Sequence, residues 1–218
     1  MKEQKNLNHI LARIVLLCAG LSVMAIGVAF SIKAALGTSP ISSVPFVTGT
    51  ISGLSVGTTT VIMNCVFVLI QILILRKRFD WFQLLQIPAS FLFGIMIDVG
   101  GVVLRIIPCN NYLEQWALCI AGIVLLAFGV SMEITARLIT NAGEGVVLAV
   151  CKVLPVKFGD MKVIFDLTLV CISILIGLLL LGHLEGVREG TIAAALCVGL
   201  ITKRFNKPMA RLEEKYLM

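Results

Sequence analysis

The sequence predicts an all-α integral membrane protein of six transmembrane helices, built as two inverted three-helix repeats that each carry a short re-entrant half-helix. Three observations lead there: an extreme apolar composition, a one-sided distribution of basic residues, and an internal duplication. Of 218 residues, 59% are hydrophobic and 14% charged, with a mean hydropathy of +1.04. Soluble domains carry about 45–50% apolar residues.

Taken in order, the apolar runs lie at about 11–35, 58–75, 84–107, 116–137, 162–181 and 189–202, and each reads as a transmembrane helix. The first follows Lys2, Lys5 and Arg13 as a secretion signal would. Its apolar part exceeds the roughly 7–15 residues of a signal core, and no small-x-small cleavage site follows. "VLLC" around Cys18 also lacks the small residue that precedes a lipidated cysteine. The segment is therefore a helix. Pro88, Ser90 and Gly94 in the third run mark a kink and a close-packing face. Almost nothing remains for a soluble domain.

With the N-terminus inside, 15 of the 18 basic residues fall on cytoplasmic segments, leaving Lys33, Arg105 and Arg188 toward the outside. Long-range charge asymmetry of this kind orients membrane proteins. The expectation is a multi-pass protein of the bacterial plasma (inner) membrane with both termini cytoplasmic. The net charge of +6 is thus topogenic, and no nucleic-acid partner is expected.

Gly27 and Gly129 begin two stretches that align without a gap for about fifty residues at a spacing of 102: "GVAFSIKAALGT" over "GVSMEITARLIT", then "VGTTTVIMNCVFVLIQILI" over "FGDMKVIFDLTLVCISILI". Three spans per repeat is an odd number, so the second repeat enters the membrane in the opposite sense. Many secondary transporters share this inverted architecture, with sites at the repeat interface near the midplane. The repeats run 1–107 and 108–218, ending in a cytoplasmic tail, 203–218.

The segments 37–57 and 139–159, "LGTSPISSVPFVTGTISGLSVG" and its counterpart "LITNAGEGVVLAVCKVLPVKFG" as quoted from residues 36 and 138, occupy equivalent places in the two halves. Each has an apolar patch too short to span. They read as half-helices dipping in from opposite faces, or else as surface caps on the bundle. Irregular backbone at membrane depth survives only where protein buries it or a watery cavity meets it, and an inward helix N-terminus offers partial positive charge. Gly49, Gly53 and Gly57 would let one face pack closely.

Ionisable residues within spans cost roughly 2.5–3.5 kcal/mol each and point to function. Asp98 reads as a cation or proton site, or else as a structural partner of Arg105 or a helix break. Asp166 lies over Asn64 in the repeat, which suggests a shared site; its alternative is an i,i+4 pair with Lys162. Glu144, with Thr140 and Asn141, forms a polar cluster in a glycine-flanked turn. Glu133 and Arg137 are spaced to pair with each other, and Lys33 to snorkel. Glu189 suits a helix start, and Arg188 an anion at the outer mouth.

Seven scattered cysteines with no C-x-x-C read as reduced hydrophobes. With two histidines, His9 and His183, the chain has no H-E-x-x-H, and neither Walker A nor Rossmann glycines occur. No enzyme, cofactor or metal site is expected.

Four stretches carry a family likeness: "GTSPISSVP", "QIPASFLFGIMID", "TNAGEG" and "REGT". Together they resemble the YczE/YitT-like group of bacterial inner-membrane proteins over residues 12–205. The resemblance implies the location and the fold and supplies no substrate. It implies site residues at Thr38, Pro40, Asp98, Asn141, Glu144, Arg188, Glu189 and Thr191. With Ser39, Asn64 and Asp166 these make the expected substrate-binding set.

The expected function is a secondary transporter or exporter of a small polar metabolite, cationic or zwitterionic, working by alternating access. Two other functions fit the sequence: the substrate-binding membrane subunit of an energy-coupling-factor importer, for which Ala25 and Ala29 offer a helix-docking patch, and a non-transporting sensor or assembly protein. The expected partners are the lipid bilayer and a small-molecule substrate, and the glycine-lined faces also suit a homodimer.

Overall fold

A computed structural model describes the backbone of residues 2–216 and the side chains of residues 10–210, so the charges of Lys2, Lys5, Arg211 and Lys215 lie outside the described side chains. All regular structure among the described residues is helical. The order is α1 (Lys2–Ala34), α2 (Pro40–Ser52), α3 (Val56–Leu75), α4 (Gln86–Val103), α5 (Tyr112–Ala136), α6 (Ala142–Val153), α7 (Phe158–Leu180) and α8 (Glu189–Tyr216), with short 3-10 turns around α4.

Among the described residues five helical segments are long and apolar enough to cross a membrane: Ile10–Ala34, Val56–Arg78, Trp81–Ile106, Tyr112–Ala136 and Phe158–Leu180. The chain is a multi-pass membrane protein, and its outward faces carry exposed Leu69, Leu73, Ile95, Leu113, Ile120, Leu167 and Leu175. The sequence predicted six spans. α8 is not among the five because Lys203, Arg204 and Lys207 follow directly on its apolar first half.

Local chemistry sets the helix ends. Asn111 and Glu114 form a capping box at the start of α5, the Ser55 hydroxyl accepts the Thr58 N–H at the start of α3, and Gly53, at φ 72°, closes α2. Pro40 opens α2, where a missing N–H costs nothing. The carbonyl of Pro45 inside that helix accepts the Thr59 hydroxyl at 2.8 Å.

The centre of the bundle is the crossing of α1 and α5. A Cβ on Gly27 would lie 2.8 Å from the Gly122 carbonyl oxygen, and one on Gly129 would lie 2.6 Å from that of Gly20. The two backbones therefore touch, and the helices run antiparallel. Without water to drive apolar surfaces together, such close backbone packing is what associates membrane helices.

Around this crossing α4 lies beside α1 and α8 beside α5, while α2 packs on α7 and α3 on α6. The α8 start sits by the α5 start, with the Tyr112 hydroxyl 3.4 Å from Glu189, and the two helices stay together to Ser131, whose hydroxyl donates to Asn206 at 2.7 Å. A buried polar link ties α3, α4 and α6: the Gln71 amide donates to Gln86 at 2.9 Å and to the Ala142 carbonyl at 3.0 Å. In lipid, such groups must find partners within the protein.

Candidate functional site

A cavity of about 520 Å³ lies against the α1–α5 crossing, and all eight helices or the turns leading into them contribute to its wall. The chain folds this way because α2 and α6 are short and begin inside the protein. Pro40, Ser42 and Ser43 of α2 are buried, whereas Ile51 and Leu54 at its far end are exposed. Ala142 and Gly143 of α6 are buried, whereas Val153 and Leu154 are exposed. Both N-termini face the cavity, which Ser39 and Pro40 line on one side and Asn141 and Glu144 on the other.

The lining is mostly apolar, with Met24, Val28, Met63, Phe93, Leu126 and Val130 prominent, and its polar groups are few. Lys162 and Asp166 form an ion pair one helical turn apart at 2.5 Å. Glu144 lies close enough to Lys162, Asp166 and Glu133 for their charges to act on it. The Asn141 N–H donates to the Glu133 carboxylate, and the Asn141 side chain caps α6 at Gly143. Asn64 is 4% exposed and makes no side-chain hydrogen bond to a described residue.

Six of the eleven sequence-predicted site residues meet here: Ser39, Pro40, Asn64, Asn141, Glu144 and Asp166. The other five lie elsewhere. Asp98 faces the start of α3, accepting the Ser55 hydroxyl at 2.6 Å and the Gly57 N–H at 2.8 Å; its partners are these and not Arg105. Thr38, 2% exposed, bonds to the chain before α8: its N–H donates to the Gly186 carbonyl at 2.9 Å. Arg188 donates to the Ala35 carbonyl at 2.9 Å and lies 3.2 Å from Glu189, and Thr191 accepts the Arg188 N–H at 3.3 Å. This second cluster fastens the α1–α2 turn to the head of α8.

Ser42, Thr60 and Lys162 also line the cavity and were missed as site residues. The duplication held the signal for them: a spacing of 102 sets Ser42 over Glu144 and Thr60 over Lys162.

The two ends of the bundle differ. Where α3 meets α4 the helices touch: a Cβ on Gly57 would lie 2.1 Å from the Gly94 carbonyl, and the Asp98 carboxylate bonds across the seam. α7 and α8, by contrast, have no extended packing against each other among the described residues. Gly159, the residue aligned with Gly57, has open space where its Cβ would be. Phe158 and Lys162 of α7 and Gly199 and Lys203 of α8 line the cavity on this side.

A family model described as a family of unknown function (DUF6198) matches residues 11–207. The chain belongs to that family. Every residue lining the cavity, from Met24 to Asn206, falls within the DUF6198 match. No curated protein and no solved structure matches the chain.

Proposed function

We propose that the protein is a secondary transporter of a small organic cation or zwitterion, built from two inverted repeats and caught with its cavity open to the cytoplasm. The observation that carries this is the pairing of the cavity wall: Met24 with Leu126, Val28 with Val130, Ser39 with Asn141, Ser42 with Glu144, Thr60 with Lys162 and Asn64 with Asp166 all line it, and every pair is 102 residues apart. A cavity straddling a pseudo-twofold axis is where inverted-repeat transporters place their substrate. The reciprocal α1–α5 contacts support the same axis, since aligned Gly20 and Gly122 meet Gly129 and Gly27.

α8 supplies the sixth span in this reading. It follows α5 from Tyr112 to Ser131, and exposes Ile192, Leu196 and Leu200 along one face as a lipid-facing helix does. The distribution of basic residues supports an orientation with the open α7–α8 gap on the cytoplasmic side and the closed α3–α4 seam outside. α2 and α6 are the re-entrant half-helices. Transport would close the first seam and open the second as one repeat rocks against the other.

Purified protein in proteoliposomes is expected to exchange a labelled amine, amino acid or betaine for the same unlabelled solute inside, with empty liposomes as the control. Protein that binds members of this panel and exchanges none of them contradicts the reading.

A further inference from the structure

The two halves of the cavity wall are alike in position and unlike in charge. On the first-half side the polar positions are Ser39, Ser42, Thr60 and Asn64, all neutral; on the second-half side their counterparts are Asn141, Glu144, Lys162 and Asp166, joined by Thr140, Thr202, Lys203 and Asn206. The first turn of α2 holds no acidic residue and no side chain caps it, so the positive end of its dipole faces the cavity; Pro40 has no N–H and that of Ser42 donates to the Ser39 carbonyl at 2.9 Å, so the dipole is most of what this end offers. Ser39 spends its hydroxyl on Ser42 at 2.9 Å, and Thr60 donates to the Val56 carbonyl at 2.7 Å. That leaves the Asn64 amide, 4% exposed and without a partner among the described residues, aimed into the space between the walls. The Asn64 amide reaches the cavity surface, where a ligand can bond it.

On the opposite wall Lys162 and Asp166 neutralise each other, and Glu144 remains as the negative charge of that wall. The remaining cation of the lining, Lys203, is exposed. Between the poles stand Met24, Val28, Met63 and Phe93. A cation alone would satisfy Glu144 and leave Asn64 and the α2 N-terminus unbonded. A carboxylate alone would face Glu144 across a low-dielectric space, where like charges repel strongly.

We propose that the cavity binds a zwitterion with an apolar body, its ammonium against Glu144 and its carboxylate at Asn64 and the N-terminus of α2. This rests on the transport reading for the cavity's purpose but needs no flux to be tested. The volume of about 520 Å³ falls within the roughly 300–1,000 Å³ of small-ligand sites, with room for a branched or aromatic side chain.

The test is thermal unfolding of the detergent-purified full chain with leucine, methionine, phenylalanine and valine, with their methyl esters, which lack the carboxylate, and with their N-acetyl derivatives, which lack the ammonium. At least one free amino acid is expected to raise the melting temperature by about 2 °C or more at saturation, with its ester and acetyl forms inactive. Glu144→Gln and Asn64→Ala are expected to lose the shift, while Thr50→Ala, on the exposed end of α2, keeps it. An ester as effective as its parent marks a cation site, an acetyl form as effective marks an anion site, and no shift with any free amino acid leaves no zwitterion site. Each overturns the proposal, and all are read on the wild-type protein, so a variant that fails to fold does not blunt the test. A shift without exchange in proteoliposomes would sink the transporter and keep the site; exchange of a simple amine would do the reverse.

Discussion

Gly57→Ala is expected to destabilise the protein by about 3 kcal/mol or more, and Gly159→Ala to leave stability within about 0.5 kcal/mol, although the two glycines are aligned in the duplication. The physical difference lies in what each backbone meets. At Gly57 a methyl group would stand 2.1 Å from the Gly94 carbonyl and 2.5 Å from the Asp98 carboxylate, so α3 and α4 would have to part. At Gly159 nothing lies within 4 Å. On the transport reading the second substitution still has a large effect, on function alone. When the cavity turns to the other side, α7 and α8 must close as α3 and α4 close here, and the added methyl blocks that seam. Gly159→Ala protein is therefore expected to melt like wild type, to bind its ligand, and to lose exchange in proteoliposomes. A stable variant that exchanges at the wild-type rate would show that α7 and α8 never come together.

Gly129→Ala is the second substitution with a large effect, here on the fold. Its methyl would meet the Gly20 carbonyl at 2.6 Å and the Met24 nitrogen at 2.7 Å, both backbone atoms that no rotamer change can move. Separating α1 from α5 opens the centre of the bundle and the wall of the cavity together. The expected loss is about 3 kcal/mol, seen as a lower melting temperature and poor recovery from the membrane. Gly101→Ala, where the new methyl meets nothing within 4 Å, is the matched control and is expected to behave as wild type.

Much of the helical plan was legible in the sequence because apolar length and Gly/Pro punctuation are local signals. The two broken segments near residues 40 and 142 stood out since neither is long enough to span, and the helices α2 and α6 do form there. Asp98 illustrates what a sequence hides. A carboxylate inside an apolar run has the same signature whether it faces a ligand or a helix end, and only the approach of α4 to Ser55 and Gly57 separates the two. Arg188 reads in the sequence as facing an anion at the outer mouth, but the group it bonds, the Ala35 carbonyl, lies about 150 positions away. Lys162 was legible only as the neighbour of Asp166, because an i,i+4 ion pair reads as a surface pair until the helix is seen to border a cavity. α8 reads in the sequence as a sixth span on its short apolar half alone, and the basic residues that follow directly on that half keep it out of the five helices long and apolar enough to cross.

The central claim is that the two seams open and close in opposition, and the most direct measurement is a pair of distances in one protein. Spin labels at Thr58 on α3 and Val102 on α4 report the Gly57 seam, and labels at Asp160 on α7 and Arg204 on α8 report the Gly159 seam; all four positions are exposed. Each pair is placed in a background whose seven cysteines are replaced, and measured by pulsed electron paramagnetic resonance in lipid nanodiscs with and without a stabilising ligand. The account predicts two populations whose weights shift with ligand, the first pair lengthening in the population where the second shortens. A single fixed distance at both seams, or two distances that lengthen together, would contradict it.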